Sequence, residues 1–336
     1  MIEINQLDLF SGIGGFHLGF HNAGYKVNSY FSEVDKYAIQ VYQNNFKDAK
    51  YVGSVTDVRG AELPRIDLIT FGSPCQDFSL AGKRKGMGGD RSSLITHAIR
   101  LIDECRPSVF IWENVKGTFS SNNGEDFWAI IQAFTNLGGY RLEWQLLNTK
   151  WFLPQNRERI YLVGYIGDGS GGQVFPIGEN DKLLDGKVWT KEGEATGVKN
   201  SHTRTISSRI HKMGSDDTYI KVNSATSRGY EVANHGDSIN LSVPTSKTRR
   251  GRVGKGVAQT LDTHCNQAVF EERIRRLTPI ECERLQGFPD NWTQFGTEGE
   301  VSDSQRYKMC GNAVTTNVVS AIAERCKFIF NGKEKV

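Results

Sequence analysis

The chain predicts an α/β fold, a mostly parallel sheet under helices, joined to a smaller, irregular β-rich domain. Three observations carry this. Short apolar, β-rich runs alternate with helix-length amphipathic stretches as far as residue 165, the pattern of a layered parallel sheet. The first run leads into a glycine-rich turn and then a helical stretch, Asn5-Gln-Leu-Asp-Leu-Phe-Ser-Gly-Ile-Gly-Gly-Phe-His-Leu-Gly-Phe20. Beyond Gly167 the composition shifts to Gly, Ser, Thr, Asn, Lys and Arg with few long apolar runs, which marks a second unit of short strands and long loops. A length of 336 residues suits two domains. The expected division is 1–170, 171–272, and a segment 273–336 that returns to complete the first domain.

The elements follow in order. Gly12, Gly14 and Gly15 allow a tight turn and let a ligand approach backbone N–H groups near a helix start. A second strand over residues 26–32 ends at Glu33, about twenty residues past the turn, where an acid is placed to accept hydrogen bonds from ribose hydroxyls. Residues 35–45 read as a helix with Tyr37, Val41 and Tyr42 along one side. Residues 66–71 form a buried strand that ends at Gly72-Ser-Pro-Cys75, so Cys75 should stand just past a strand's carboxyl end, where open α/β sheets hold ligands. A helix over 92–105 stops before Pro107, and the strand 108–112 delivers Glu113 to the same rim. A helix over 125–137 and strands near 143–147 and 159–165 complete the series. Residues 275–287 and 315–330 return to helical spacing, and the latter needs a core to cover.

Net charge is only +3, yet residues 201–256 hold ten Lys/Arg against four Asp/Glu, leaving the rest of the chain at minus three. Localised positive charge suits a polyanion. No long uncharged apolar run or basic leader is present, so neither a spanning helix nor a secretion signal is expected. The six cysteines (75, 105, 265, 282, 310 and 326) lack Cys-x-x-Cys spacing and read as intracellular thiols, one of them free to act as a nucleophile. His264, Cys265 and Cys282 lack the paired spacing of a structural zinc site, and no metal is expected. By itself Cys75 also fits a structural turn cysteine, and Glu113 a helix N-terminal acid.

Six ordered blocks resolve these choices: Asp8-Leu-Phe-Ser-Gly-Ile-Gly-Gly15, Gly72-Ser-Pro-Cys-Gln76, Glu113-Asn-Val115, Gln155-Asn-Arg-Glu-Arg159, Arg276-Leu-Thr-Pro-Ile-Glu-Cys-Glu-Arg-Leu-Gln-Gly-Phe-Pro289 and Gly311-Asn-Ala-Val314. Together they resemble the bacterial-type DNA (cytosine-5)-methyltransferases. They span nearly the whole chain except residues 170–270. The resemblance implies a Rossmann-like, S-adenosylmethionine-dependent methyltransferase domain and a target-recognition domain. It also implies methyl transfer to carbon 5 of a cytosine flipped out of double-stranded DNA. The chemistry agrees: carbon 5 is a poor nucleophile until a thiolate adds at carbon 6, and cysteine is the side chain suited to that attack.

By this resemblance Cys75 is the nucleophile, and Glu113 shares or donates a proton at ring nitrogen 3. Arg159 would bond to ring oxygen 2 and place Glu113, with Arg157 near the catalytic loop or a phosphate. Phe10 would lie against the adenine, Gly12, Ile13 and Gly14 would hold the methionine end, and Glu33 the ribose. Pro74, Leu94, Asn312 and Ala313 complete the donor site. Relatives often carry Gly-Asp-Ile where this chain has Gly53-Ser-Val55, so the adenine contact falls on Ser54 or Asp57, beside Val55. They also often carry an aromatic where this chain has Val34. The basic loop after Cys75 (Lys83, Arg84, Lys85) would neutralise phosphates, and Gln76 or Ser79 would approach the gap left in the helix. Sequence readers are sought among Arg204, Arg209, Arg228, Arg249, Arg250 and Arg252, anchored through Thr260. Transfer RNA methylation and a silent DNA-binding module are the alternatives. The long insertion weighs against the first, and intact Cys75, Glu113 and Arg159 against the second. The family analogy further implies a monomer in the bacterial cytoplasm, phage-encoded or not, with a restriction endonuclease sharing its site.

Overall fold

The computed structural model describes residues 1–72, 94–167, 172–178, 203–205, 219–243, 246, 248–271 and 273–331. Its centre is a seven-stranded sheet built from β1 (Ile2–Leu9), β2 (Tyr25–Ser32), β3 (Lys50–Tyr51), β4 (Leu68–Gly72), β5 (Val109–Val115), β6 (Tyr140–Asn148) and β8 (Glu158–Ile166), the last preceded by the short β7 (Gln155–Asn156). The strand order is β3-β2-β1-β4-β5-β8-β6. All neighbours pair in parallel except β8, which runs antiparallel to both β5 and β6. Strand order reverses direction at β1, which places a crevice beyond the carboxyl ends of β1 and β4.

Alternation of side chains divides the core between the two faces of the sheet. Ile4, Val109 and Ile111 face α1 (Gly15–Asn22) together with Phe16, Phe20, Val319 and Ile322. Leu7, Leu9, Phe110 and Trp112 face the other way, against α3 (Leu94–Cys105) and α4 (Glu125–Asn136). α2 (Lys36–Asn45) packs Ala38 and Val41 in a separate cluster with Ile13 and Leu18, and is capped by Asp35, whose carboxylate accepts from the N–H groups of Tyr37 and Ala38. Each large side chain so buried contributes about 1.5–3 kcal/mol.

The remaining elements are short. β9 (Thr203–Thr205), β10 (Tyr219–Asn223) and β11 (Tyr230–Asn234) form one small sheet. β12 (Ser238–Asn240), β13 (Val253–Gly254), β15 (Gln267–Phe270) and β16 (Ile274–Arg276) form another, while β14 (Ala258–Gln259) pairs in parallel with β7. β17 (Phe295–Gly296) and β18 (Gly299–Glu300) make a hairpin between α5 (Pro279–Leu285) and α6 (Asp303–Asn312). The last helix, α7 (Thr316–Asn331), returns to the first, where Ser320 donates its hydroxyl to the Gly19 carbonyl at 3.0 Å. Gly19 of α1 is what permits this contact, since a Cβ there would overlap the side chain of Val319. No helix among the described residues is long and apolar enough to cross a membrane.

Several boundaries differ from expectation for physical reasons. The stretch 275–287, expected to be helical, is strand β16 followed by the seven-residue α5, because Thr278 and Pro279 start a helix there. Thr278 accepts from the Glu281 N–H, and Glu281 accepts in return from the Thr278 N–H. β16 pairs with β15, so residues 274–276 close the four-stranded sheet β13-β12-β15-β16. β5 continues past Trp112 through Val115, so Glu113 lies inside the strand.

Candidate active site

Strand register builds the site. Leu9 stands opposite Ser32 on one side and Phe71 on the other, and Gly72 opposite Glu113. One residue further, Phe10, Glu33, Gly72 and Glu113 therefore lie level across four neighbouring strands spaced about 4.8 Å apart. Residues scattered over a hundred positions thus meet on this one rim. Gly72 has a direct steric role, because a Cβ there would stand 3.1 Å from Glu113 Oε2. Pro74, Cys75, Gln76, Ser79, Lys83, Arg84 and Lys85 lie outside the described residues, as does Arg209.

At the turn, Phe10 adopts φ 52° and Gly12 φ 53°. The Gly12 N–H donates to Glu33 Oε2 at 2.8 Å, while Glu33 Oε1 accepts from Val34 and Asp35. A carboxylate offers about four lone-pair sites, so Oε2 keeps one for a further donor such as a sugar hydroxyl. The buried Ser11 hydroxyl has no hydrogen-bond partner among the described residues. These features fit a nucleoside-type ligand. Ile13 is buried and its carbonyl accepts from Trp292 Nε1 at 3.0 Å, tying the turn to the returning segment. Ser54, Val55 and Asp57 share the turn after β3: Val55 is buried in the core, Ser54 and Asp57 both contact Thr56, and Asp57 is exposed. Val34 is 76% exposed, Leu94 begins α3, Asn312 ends α6 on the surface, and Ala313 is buried behind it.

Below the turn lies a buried polar chain that the sequence reading missed. Gln6 donates to Thr70 and Thr70 to Asp8, each at 2.8 Å, and Tyr42 donates to Asp8 at 3.4 Å. Burial pushes the Asp8 carboxyl well above the usual carboxylate range. His17, 3.2 Å from the Tyr42 hydroxyl and stacked on Phe46, is pushed down to about 3 by burial first and by nearby His21 second. The signal was present as polar residues interleaved with the apolar ones of β1.

Glu113 and Arg159 form an ion pair across β5 and β8. Arg159 Nε stands 3.1 Å from Glu113 Oε1, with side chains only 15% and 11% exposed. Among the described residues that oxygen accepts no aligned hydrogen bond, so its contact with Arg159 is electrostatic. Arg157 goes elsewhere. It is buried between β7 and β8 and donates to the carbonyls of Leu261, Gly311 and Ala313. The two arginines thus have different partners: one faces the acid, the other clamps chain segments. Gln155 and Gln286, both fully buried, reinforce the clamp. Gln155 accepts from the Leu261 N–H and donates to the Leu285 carbonyl, and Gln286 donates to Cys310 and Ala313.

The expected DNA-reading arginines also divide. Arg228, Arg249 and Arg250 are exposed on adjoining turns, joined where the Ala225 N–H donates to the Arg249 carbonyl at 2.7 Å and Arg250 Nε to the Ala225 carbonyl at 2.8 Å. Arg252 is buried, with its guanidinium on the carbonyls of Asn240, Ser242 and Val243, so it braces the sheet instead of projecting from it. Arg204 belongs to β9. Thr260 donates to the Asn156 carbonyl at 2.8 Å, next to the β7–β14 pairing. Cys265 and Cys282 face each other with sulfurs 3.4 Å apart. No group of three or more metal-ligating His, Cys, Asp or Glu residues occurs among the described residues.

Fold and rim define a methyltransferase of the Rossmann-like class. The fold is shared with the S. pombe Dnmt2 methyltransferase (TM-score 0.58, 18% identity, 96% of this chain and 98% of that one). It is also shared with the Entamoeba histolytica methyltransferase EhMeth (TM-score 0.57, 17% identity, 99% of each chain). The chain matches the C-5 cytosine-specific DNA methylase family over residues 4–328. It is 34% identical to the type II methyltransferase M1.ScrFI of Lactococcus lactis subsp. cremoris, covering 99% of this chain and 80% of that protein. It is 32% identical to M.NlaX of Neisseria lactamica, covering 96% and 95%. The chain belongs to the C-5 cytosine-specific DNA methylases and is a DNA (cytosine-5)-methyltransferase. Methyltransferases of this family and fold draw their methyl group from S-adenosylmethionine.

Proposed function

We propose that the protein methylates carbon 5 of a cytosine extruded from a specific double-stranded DNA sequence, with Cys75 as nucleophile and Glu113 and Arg159 as the groups that hold the ring. The observation that carries this reading is the Glu113–Arg159 pair standing level with the Phe10–Glu33 turn. S-adenosylmethionine supplies a methyl group on a cationic sulfur. The turn at Gly12 to Gly14, Glu33 and the Asn312–Ala313 corner would bind and orient it, with Ser54 or Asp57 at the adenine.

In this mechanism the Cys75 thiolate adds to carbon 6 and a sulfur–carbon bond forms. Glu113 shares a proton at nitrogen 3, which removes the charge that would otherwise build on the ring. Arg159 holds oxygen 2 and keeps Glu113 in place. Once carbon 5 carries the methyl group, its proton leaves to a base and the carbon 6–sulfur bond breaks, which regenerates the thiolate. Arg157 supports the reaction from behind by joining Leu261 to the Gly311–Ala313 corner.

Residues 171–272 would form the target-recognition domain, with Arg228, Arg249 and Arg250 toward the groove. The relatives' description as type II methyltransferases supports a protective role beside a restriction endonuclease acting on the same site. The protein would act as a monomer in the bacterial cytoplasm. Bisulfite sequencing of DNA from cells expressing the protein tests the proposal. One short sequence should carry 5-methylcytosine, and Cys75→Ala should erase the mark while duplex binding persists. A methyl group on an exocyclic nitrogen, or full marking by Cys75→Ala, would overturn it.

A further inference from the structure

Beyond the rung where Val115 pairs with Arg159, the next residue on each strand is charged. Lys116 and Glu158 meet there, Nζ 2.9 Å from Oε2. Both line a cleft of about 290 Å³ with Val115, Asn156, Arg159 and Thr260. Exposure grades along the two strands: the side chains of Glu113 and Arg159 are 11% and 15% exposed, those of Glu158 and Lys116 39% and 56%. The same two strands thus carry two ion pairs, one shielded and one at the cleft mouth.

Their environments give them different behaviour. The shielded pair keeps its geometry because neither charge has water to return to. The outer pair is solvated, so its net attraction is small and a third charge readily displaces one partner. A nucleotide whose base enters the cleft leaves its phosphate outside, since a bare phosphate charge is too costly to bury. That anion arrives at the mouth, where Lys116 is the cation and Glu158 the opposing charge.

We propose that Lys116 and Glu158 are a phosphate-exchange pair: Lys116 leaves Glu158 for the backbone phosphate of the nucleotide whose base occupies the cleft, and Glu158 disfavours phosphates that arrive without an inserted base. This rests on the reading of Arg159, which lines the cleft, and its partner Glu113 as the groups that hold the cytosine ring. Neither residue takes part in bond making. Their effect is on which DNA is held and for how long.

Anisotropy titrations of the full chain over a salt series test this, with one labelled duplex carrying the methylated sequence and one lacking it. Lys116→Gln should weaken binding of the first about tenfold and reduce its salt slope by about one, because one phosphate contact is gone, with little change for the second. Glu158→Gln should tighten both, the second more, so that the preference between them narrows at least threefold. An unchanged salt slope in Lys116→Gln, or weaker binding of the second duplex by Glu158→Gln, overturns the exchange. Glu113→Gln separates the two readings. If it loses methyl transfer while Lys116→Gln binds as the parent does, the exchange fails and the cytosine site stands. If Glu113→Gln transfers methyl at the parental rate, the cytosine site itself fails and the exchange with it.

Discussion

Arg159→Met should lower the rate of methyl transfer by about 10²–10³, and it should do so largely through Glu113. At 3.1 Å and an effective dielectric of about 20, the two charges attract by roughly 5 kcal/mol before desolvation is counted. Removing one partner of so shielded a pair costs about 3–5 kcal/mol, because the other charge stays behind with nothing opposing it. The reaction feels the share that strengthens as charge builds on the ring, for which loss of one preorganised donor costs about 2.7–4 kcal/mol. Glu113→Gln should lose a similar amount. Because either change disables the same unit, the double variant should fall no more than about tenfold below either single one. Single-turnover transfer of labelled methyl to saturating duplex DNA measures all four proteins. If the double variant loses the product of the two single losses, the residues act independently and the contact has no catalytic meaning.

Three further outcomes follow from the packing. His17 stays neutral in the folded protein, with its pKa near 3, whereas the unfolded chain binds a proton below about 6.5; stability should therefore fall as pH drops through that window, by about 2 kcal/mol at pH 5, and His17→Gln should flatten the decline in urea midpoints. An equal slope in the variant would dismiss this. Gly19→Ala should cost about 1–3 kcal/mol by pushing α7 off α1, read as a lower thermal midpoint; an unchanged midpoint would show that the helices separate freely. Arg252→Ala should destabilise the protein by about 1–3 kcal/mol through orphaned carbonyls. Arg228→Ala should leave stability within about 0.5 kcal/mol and weaken duplex binding instead. The reverse pattern would exchange their roles.

Much of this was legible in the linear chain because it depends on neighbours. Alternating apolar runs announce β1, β2, β4, β5 and β8, the glycines after Phe10 announce a turn, and Glu33 follows a strand end because an apolar run stops there, whereas β5 runs on past its apolar run and takes in Glu113. What the chain could not show is which side chains meet across long separations. Arg157 and Arg159 look equivalent two positions apart, yet one is bound by carbonyls 104 to 156 residues away and the other faces Glu113. Arg252 reads like Arg249 and Arg250 until the sheet folds over it. The pairing of Lys116 with Glu158, and the level row of Phe10, Glu33, Gly72 and Glu113, arise only from strand order and register. Periodicity and turn chemistry are local properties of a chain, whereas burial and charge pairing belong to the space between distant segments and come into being when those segments pack.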